Sequence, residues 1–331
     1  MRRIENPKNP WEREHHEWLG PPPPARLEVF SDDSRSILSR NEAPDLPFRW
    51  SLNPYRGCVH SCAYCYARSS HEYLGFGAGS DFDRRIVVKE DAPMLLRRVL
   101  EARAWRGEVI NFSGVTDCYQ GLEGSYRLTR ACLELCRDFR NPVSIITKSA
   151  LIERDLELLA ELHQRAFASV LVSLCFIDEG DSAALEPGAP PPQRRLETIA
   201  RLRDAGVPVG LLLAPVIAGL NDRQIPGILK AARAAGATFA GYAPLRLVGS
   251  VREVFEGRLR RALPSRAERI LEAFARAESA GGRADPRALC HAALFEVWHR
   301  KLGYERAPAP PTPSPFRDPK RPRQLGLFDE A

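Results

Sequence analysis

Between about residue 46 and residue 250 the chain alternates short apolar runs with longer stretches in which apolar residues return every three or four positions. The short runs at 50–53, 109–112, 143–147, 169–175, 207–213 and 238–242 predict strands. Those at 92–104, 125–139, 154–164, 193–205 and 222–235 predict helices. In LIERDLELLAEL the apolar residues gather on one face, as they must in a helix that covers a sheet. Strand and helix in strict alternation are the pattern of βα units around a parallel sheet. Six units predict an α/β fold, a partial (β/α)6 TIM-like barrel, with its chemistry at the C-terminal ends of the strands.

The flanks read differently. Residues 1–45 carry PPPP at 21–24 and then the polar SDDSRSILSRNEAPD, which predicts an irregular arm lying over the barrel 46–250. Residues 251–305 predict a helical extension, in which CHAALFEVWHRKLG, with His291 and His299, forms an amphipathic helix closing one side of the barrel. Residues 306–331 are a Pro/Arg-rich tail, expected to be disordered, that ends in QLGLFDEA.

Composition narrows the class. The 331 residues are 44% hydrophobic, enough for one large domain with extensions. No apolar run approaches a membrane span and the first residues lack the apolar stretch of a secretory signal, so the expectation is a cytoplasmic protein with no membrane partner. The net charge of +6 rests on Arg, with six Lys, in a chain rich in Ala and Pro. That is a compositional bias, and Arg97, Arg98, Arg103 and Arg106, or Arg258, Arg260 and Arg261, are expected to be solvated helix faces instead of a nucleic-acid footprint.

Three of the eight cysteines, Cys58, Cys62 and Cys65, fall within NPYRGCVHSCAYCYAR at spacings of four and three. A helix with Cys on a buried face would also give those spacings, but Pro54 and Gly57 suit a strand running into a tight loop. Three clustered thiolates share one metal centre. Zinc wants four protein ligands, and His60 is the local candidate for the fourth; a four-iron cluster held by three thiolates leaves one iron open to react.

CVHSCAYC has the CxxxCxΦC form of radical S-adenosylmethionine (SAM) enzymes, and the run from NPYRGC to CYAR resembles the spore photoproduct lyase-like branch of that superfamily. The resemblance covers roughly residues 30–250 and includes LEPGAPPPQRRLETIARLRDAGVPVGLLLAPVIAGLND. It implies a 4Fe–4S cluster on Cys58, Cys62 and Cys65, with SAM chelating the fourth iron and an external electron donor such as flavodoxin or ferredoxin. Cleavage of SAM then yields a 5′-deoxyadenosyl radical that abstracts hydrogen from substrate. It also implies a SAM site from Tyr64, from Ser113, Gly114, Thr116 and Asp117 after the second strand, from Lys148 and Ser173, and from Val216 against adenine. Tyr64 and Tyr66 flank Cys65 as the tyrosines associated with radical relay do in that family. One departure stands out. The lyase-like pattern puts a hydrogen-returning thiol where this chain has Gly114, so Cys118 is the candidate to act from a shifted position. Cys132, Cys136, Cys175 and Cys290 read as core residues.

The tail adds a second resemblance. Gln324, Leu325, Leu327 and Phe328 resemble the peptide that binds the bacterial DNA sliding clamp, presented on a flexible tether. Together these readings predict a radical SAM enzyme acting on nucleic acid, in DNA repair or modification of the lyase-like kind. The alternatives are a radical SAM enzyme acting on tRNA, a peptide or a small molecule, and a non-catalytic metal-binding or electron-transfer module.

Overall fold

The computed structural model describes residues 26–42, 48–279, 286–317 and 319. Ten strands run in chain order: β1 Glu28–Ser31, β2 Leu38–Arg40, β3 Trp50–Leu52, β4 Tyr55–Arg56, β5 Arg85–Val88, β6 Ile110–Phe112, β7 Val143–Thr147, β8 Ala168–Ser173, β9 Val209–Val216 and β10 Phe239–Pro244. The α-helices are α1 Arg68–His71, α2 Ser80–Arg84, α3 Ala92–Glu101, α4 Glu123–Tyr126, α5 Leu128–Asp138, α6 Leu156–Arg165, α7 Glu179–Leu185, α8 Pro192–Asp204, α9 Ile225–Ala235, α10 Val251–Ala262, α11 Pro264–Ser279 and α12 Pro286–Lys301.

The large sheet has the order β10-β9-β8-β7-β6-β3-β2. From β3 to β10 every pairing is parallel, so the six predicted strands form the six staves of the partial barrel. Two-residue periodicity then divides the sheet into two faces. On the outer face Ile110, Phe112, Val143, Ile145, Val170, Val172, Leu211 and Leu213 join the main core, packed against Leu95 and Leu96 of α3, Leu133 of α5, Leu159 of α6, Ile199 of α8 and Leu229 of α9. The inner face carries a polar row instead. Register places Ser51, Asn111, Ser144 and Ser169 side by side on four neighbouring strands.

Among the described residues of the N-terminal arm, β2 adds an antiparallel edge to the large sheet, and β1 pairs with β5 in a small sheet of order β1-β5-β4. One expectation about the flanks is corrected. The tail is ordered as far as 317. Phe316 stacks on Phe139, Ser314 Oγ donates to the Gly107 carbonyl at 2.7 Å, and the Arg317 amide donates to the Phe139 carbonyl. Proline-rich composition predicts low intrinsic order, but one half-buried aromatic anchor fixes a segment that has little conformational freedom to lose. This strap lies against the segments that lead into β6 and β7.

The helical extension is present. α12 lies against α9 and β10, with His299 stacked on Tyr304 and His291 Nε2 3.3 Å from Asp222. Cys132 and Cys136 are fully buried in the core, as expected, whereas Cys290 is exposed. Arg258 is also a correction: it is 2% exposed, because its guanidinium reaches the Ser61 carbonyl on a distant loop. No described helix is long and apolar enough to cross a membrane. Gln324, Leu325, Leu327 and Phe328 lie outside the described residues.

Candidate radical SAM site

The cysteine loop leaves β3 through Asn53 and Pro54, runs along β4 and turns at Gly57, whose φ is +78°. A Cβ there would come within 3.0 Å of the Phe82 and Arg85 carbonyls, so the turn admits glycine alone without displacing backbone. The loop is then pinned from all sides. Gln120 spans it, donating to the Gly57 carbonyl at 2.9 Å and accepting from the Val59 amide at 3.1 Å. The Cys58 amide donates to the Phe82 carbonyl, the Ala63 amide to Leu185, and the Gly188 amide to the His60 carbonyl. Arg68, fully buried, donates to the Cys62 carbonyl at 2.9 Å and to Asp83 at 2.8 Å. Arg258 approaches the same carboxylate at 3.7 Å from the other side. Burial pushes the Arg258 guanidinium down to about 10; Asp83 opposes this and Arg68 adds to it.

The donor set fits an iron–sulfur cluster. The three thiols are unbridged and share one loop, and Cys58 and Cys62 are buried. Burial raises all three, Cys62 to about 12; Asp117 raises Cys58 further, and Lys148 opposes the rise at Cys62. Thiols in such surroundings become thiolates when a cation binds them. Among the described residues no three His, Cys, Asp or Glu side chains converge tightly enough to enclose a single metal ion. His60, the candidate fourth zinc ligand, turns its Nδ1 to Asp117 at 3.4 Å. A cluster that takes one thiolate at each of three irons suits this set.

Around the loop the predicted SAM residues divide into two groups. Some are committed to the protein. Asp117, expected to receive the SAM amino group, already accepts from Thr147 Oγ1 at 2.7 Å, the Lys148 amide at 2.7 Å and the Tyr119 amide at 2.9 Å, and faces His60. Burial alone would raise its pKa; His60 and these donors hold it at about 2. Thr116 is likewise used, its hydroxyl donating to the Tyr55 carbonyl while accepting from Asn53. Val216 packs into the main core. Cys118 is fully buried there too, with its carbonyl bound by Thr129 Oγ1 at 2.6 Å. Asp117 and Thr116 thus hold the shape of the loop after β6, while Val216 of β9 and Cys118 lie in the main core.

The other group lines the mouth. Ser113 and Gly114 have φ of +129° and +92° in succession, a rare conformation for serine that costs on the order of 1–3 kcal/mol and gathers at functional sites. The Gly114 carbonyl accepts from the Tyr66 hydroxyl, while Tyr66 as a whole residue is 61% exposed. Ser173 ends β8 buried, with its carbonyl held by Arg195 at 3.2 Å and its hydroxyl without a hydrogen-bond partner among the described residues. Deeper on the inner face, Asn111 accepts from Ser144 Oγ at 3.0 Å and leaves its Nδ2 buried without a partner, a donor for a group held inside the barrel.

Tyr64 is the junction of a network that sequence reasoning missed. Its hydroxyl donates to Glu186 and lies 3.1 Å from Cys175 Sγ. Glu186 accepts from Arg195 at 2.5 Å and lies 3.9 Å from Lys148 Nζ, which sits 5.7 Å over the Tyr64 ring. Burial would raise the Glu186 carboxyl, but Arg195, Lys148 and Tyr64 hold it at about 2. Burial opposes the Lys148 charge, yet Cys62, Glu186 and Cys175 raise its pKa. A fixed ammonium therefore stands beside the thiols, where it can attract a carboxylate. Glu186 belongs to the LEPG run quoted above, whose backbone supports the cysteine loop; that packing explains why the run accompanies the cysteine motif. Cys175, read as a plain core residue, is a member of this network.

The chain belongs to the radical SAM superfamily: the family's model matches residues 52–232. Members bind a 4Fe–4S cluster and SAM, and the chain is accordingly an enzyme with these cofactors, the cluster suiting Cys58, Cys62 and Cys65. An uncharacterized protein of Mycobacterium tuberculosis is 41% identical over 244 residues, 71% of each chain. An uncharacterized protein of Methanocaldococcus jannaschii is 28% identical over 200 residues, 60% of this chain and 71% of the relative. Among solved structures, spore photoproduct lyase complexed with dinucleoside spore photoproduct matches with a TM-score of 0.52 at 15% identity, over 73% of this chain and 72% of that one. A lyase mutant with bound AdoMet and the same dinucleoside matches with a TM-score of 0.50 at 16% identity, over 70% of this chain; this chain spans 66% of the lyase's length. At such identities the likeness is one of fold.

Proposed function

We propose that this radical SAM enzyme acts on nucleic acid, in a repair or modification reaction of the lyase-like kind, with Tyr66 rather than a cysteine at the point where substrate meets the barrel. When bound, the reduced cluster and SAM supply a 5′-deoxyadenosyl radical that takes a hydrogen atom from substrate. The chain's own residues do the rest. Cys58, Cys62 and Cys65 hold the cluster, and the Lys148 ammonium attracts the carboxylate of SAM. Glu186 and Arg195 fix the Tyr64 ring against which these groups sit. Ser113 and Gly114 present backbone at close range, and Ser173 offers a free hydroxyl.

The observation that carries the nucleic-acid reading is the barrel shared with spore photoproduct lyase, a protein held in its crystals with a dinucleoside photoproduct. The inner face agrees with it, being a row of Ser and Asn suited to polar groups. With Cys118 buried, the hydrogen returned to product comes from another group than the lyase-like thiol, and the Tyr66 hydroxyl, held on the Gly114 carbonyl at the barrel mouth, is the group proposed to supply it. Gln324, Leu325, Leu327 and Phe328 are proposed as the segment that carries the enzyme to DNA through the sliding clamp.

The test uses anaerobic, cluster-loaded full-length protein with deuterated SAM and, in turn, DNA, tRNA and peptide. Deuterium exchanged with DNA, and a changed product distribution with normal 5′-deoxyadenosine yield for Tyr66→Phe, are expected. Exchange confined to tRNA or peptide contradicts the DNA reading. An unchanged distribution in Tyr66→Phe removes the tyrosine's role.

A further inference from the structure

Beside the cysteine loop, between the two sheets, lies a cavity of about 140 Å³ that no step above uses. Arg56 of β4 and Lys89, just after β5, both line it, with Ser39 and Ser51 from the sheet edge, Ser70 of α1 and Ser113. Lys89 is 8% exposed, and its ammonium makes no hydrogen bond or ion pair among the described residues. Burial lowers its pKa, Arg56 lowers it further, and Asp32 opposes them. Asp32 also faces Arg56 Nε, at 3.7 Å. The cavity therefore holds two cations against one carboxylate that stands outside its lining.

The hydroxyls refine this. Ser70 and Ser113 already donate to the Ala67 and Thr116 carbonyls, whereas the Ser51 hydroxyl is unpartnered among the described residues. An ammonium drawn partly out of water with no protein partner is costly, and the lining supplies no carboxylate to offset it, so a ligand that brings negative charge is favoured there. The volume falls below the roughly 300–1,000 Å³ of pockets that enclose a whole small molecule. It suits one anionic group of a larger ligand.

We propose that this cavity seats a phosphate group of the substrate, held by Lys89 and Arg56 with Ser51 donating. Arg offers a planar fork and Lys a point charge, the pair that recurs at phosphates. The cavity shares Ser113 with the strained turn at the barrel mouth, and Ser70 stands a few residues beyond Cys65. A phosphate anchored there holds its attached sugar and base beside the cysteine loop. The phosphodiester as source rests on the nucleic-acid reading above; the anion site does not.

The experiment titrates inorganic phosphate into anaerobic, cluster-loaded full-length protein at constant ionic strength, followed by calorimetry. One saturable site is expected, weakened about tenfold or more by Lys89→Met or Arg56→Gln and retained by Lys89→Arg, with melting temperatures reported for each variant. No saturable binding to the wild-type protein, or equal binding to wild type and both charge-removing variants, overturns the site. A second arm compares oligothymidylate with the same strand carrying one neutral methylphosphonate. Weaker binding of the neutral strand to wild type, but not to Lys89→Met, identifies the phosphodiester as the source. Phosphate binding without oligonucleotide binding keeps the anion site, makes a phosphorylated small molecule its source and removes the nucleic-acid reading.

Discussion

Two fully buried carboxylates, Glu186 and Glu123, carry pKa shifts of opposite sign. Glu186 meets the guanidinium of Arg195, itself fully buried, and the Lys148 ammonium, and is held at about 2. Glu123 ties α4 to α5: it accepts from the Tyr55 hydroxyl and from the Thr129 and Arg130 amides, with Arg154 at 2.7 Å. Burial nevertheless raises its pKa, outweighing Tyr55, those amides and Arg154. The difference lies in the partners. Arg154 is 25% exposed and shares its charge with water, while Arg195 has no water to share with. The carboxylate with a depressed pKa thus stands where buried cations gather beside the cysteine loop, and Glu123 serves as hydrogen-bonded scaffolding between α4 and α5.

The largest expected effect on this contrast comes from Glu186→Gln. Removing one partner of a buried pair strands the other, at a cost of about 3–5 kcal/mol. Urea unfolding should show that loss, with SAM binding weakened as the Tyr64 ring and Lys148 shift. Glu123→Gln should cost less, roughly 1–3 kcal/mol, since it loses hydrogen bonds while Arg154 turns to solvent. Equal costs would mean that Arg195 finds another partner.

The smallest effect is in pH dependence, where the two have opposite signs. With its folded pKa depressed, Glu186 contributes stability that is present above its unfolded value near 4.5 and lost as the pH falls through about 2. With its folded pKa raised, Glu123 makes the folded state bind the proton more tightly, so its contribution declines as the pH rises from about 4.5. Stability measured by urea titration between pH 2 and 7 should therefore change slope in opposite directions in the two Gln variants. Slopes that move together contradict the assignment.

The six strands and five intervening helices were legible in the sequence because each outer face must be apolar to meet its neighbour, and that requirement writes a period into the chain. The small sheet was not: β1 is exposed along its length and β4 has two residues, so neither carries an apolar pattern that would mark it. The cysteine triplet was legible from spacing alone. Its supports were not: Gln120, Glu186 and Arg258 stand about 60, 120 and 200 residues from the atoms they bind, and nothing local distinguishes them from solvated residues. Asp117 shows the complementary limit. A polar side chain at a strand end looks alike whether it awaits a ligand or holds Lys148 and Thr147. The tail misled because one aromatic, Phe316, outweighs a proline-rich composition.

The account depends on an iron that the three cysteines leave open to SAM. Electron paramagnetic resonance of the reduced, reconstituted full-length protein, recorded with and without SAM, tests this directly. A four-iron signal that shifts when SAM is added, and is lost in Cys58→Ala, Cys62→Ala and Cys65→Ala alike, is the predicted result. A signal indifferent to SAM, or a metal retained when any of the three thiols is removed, would contradict it.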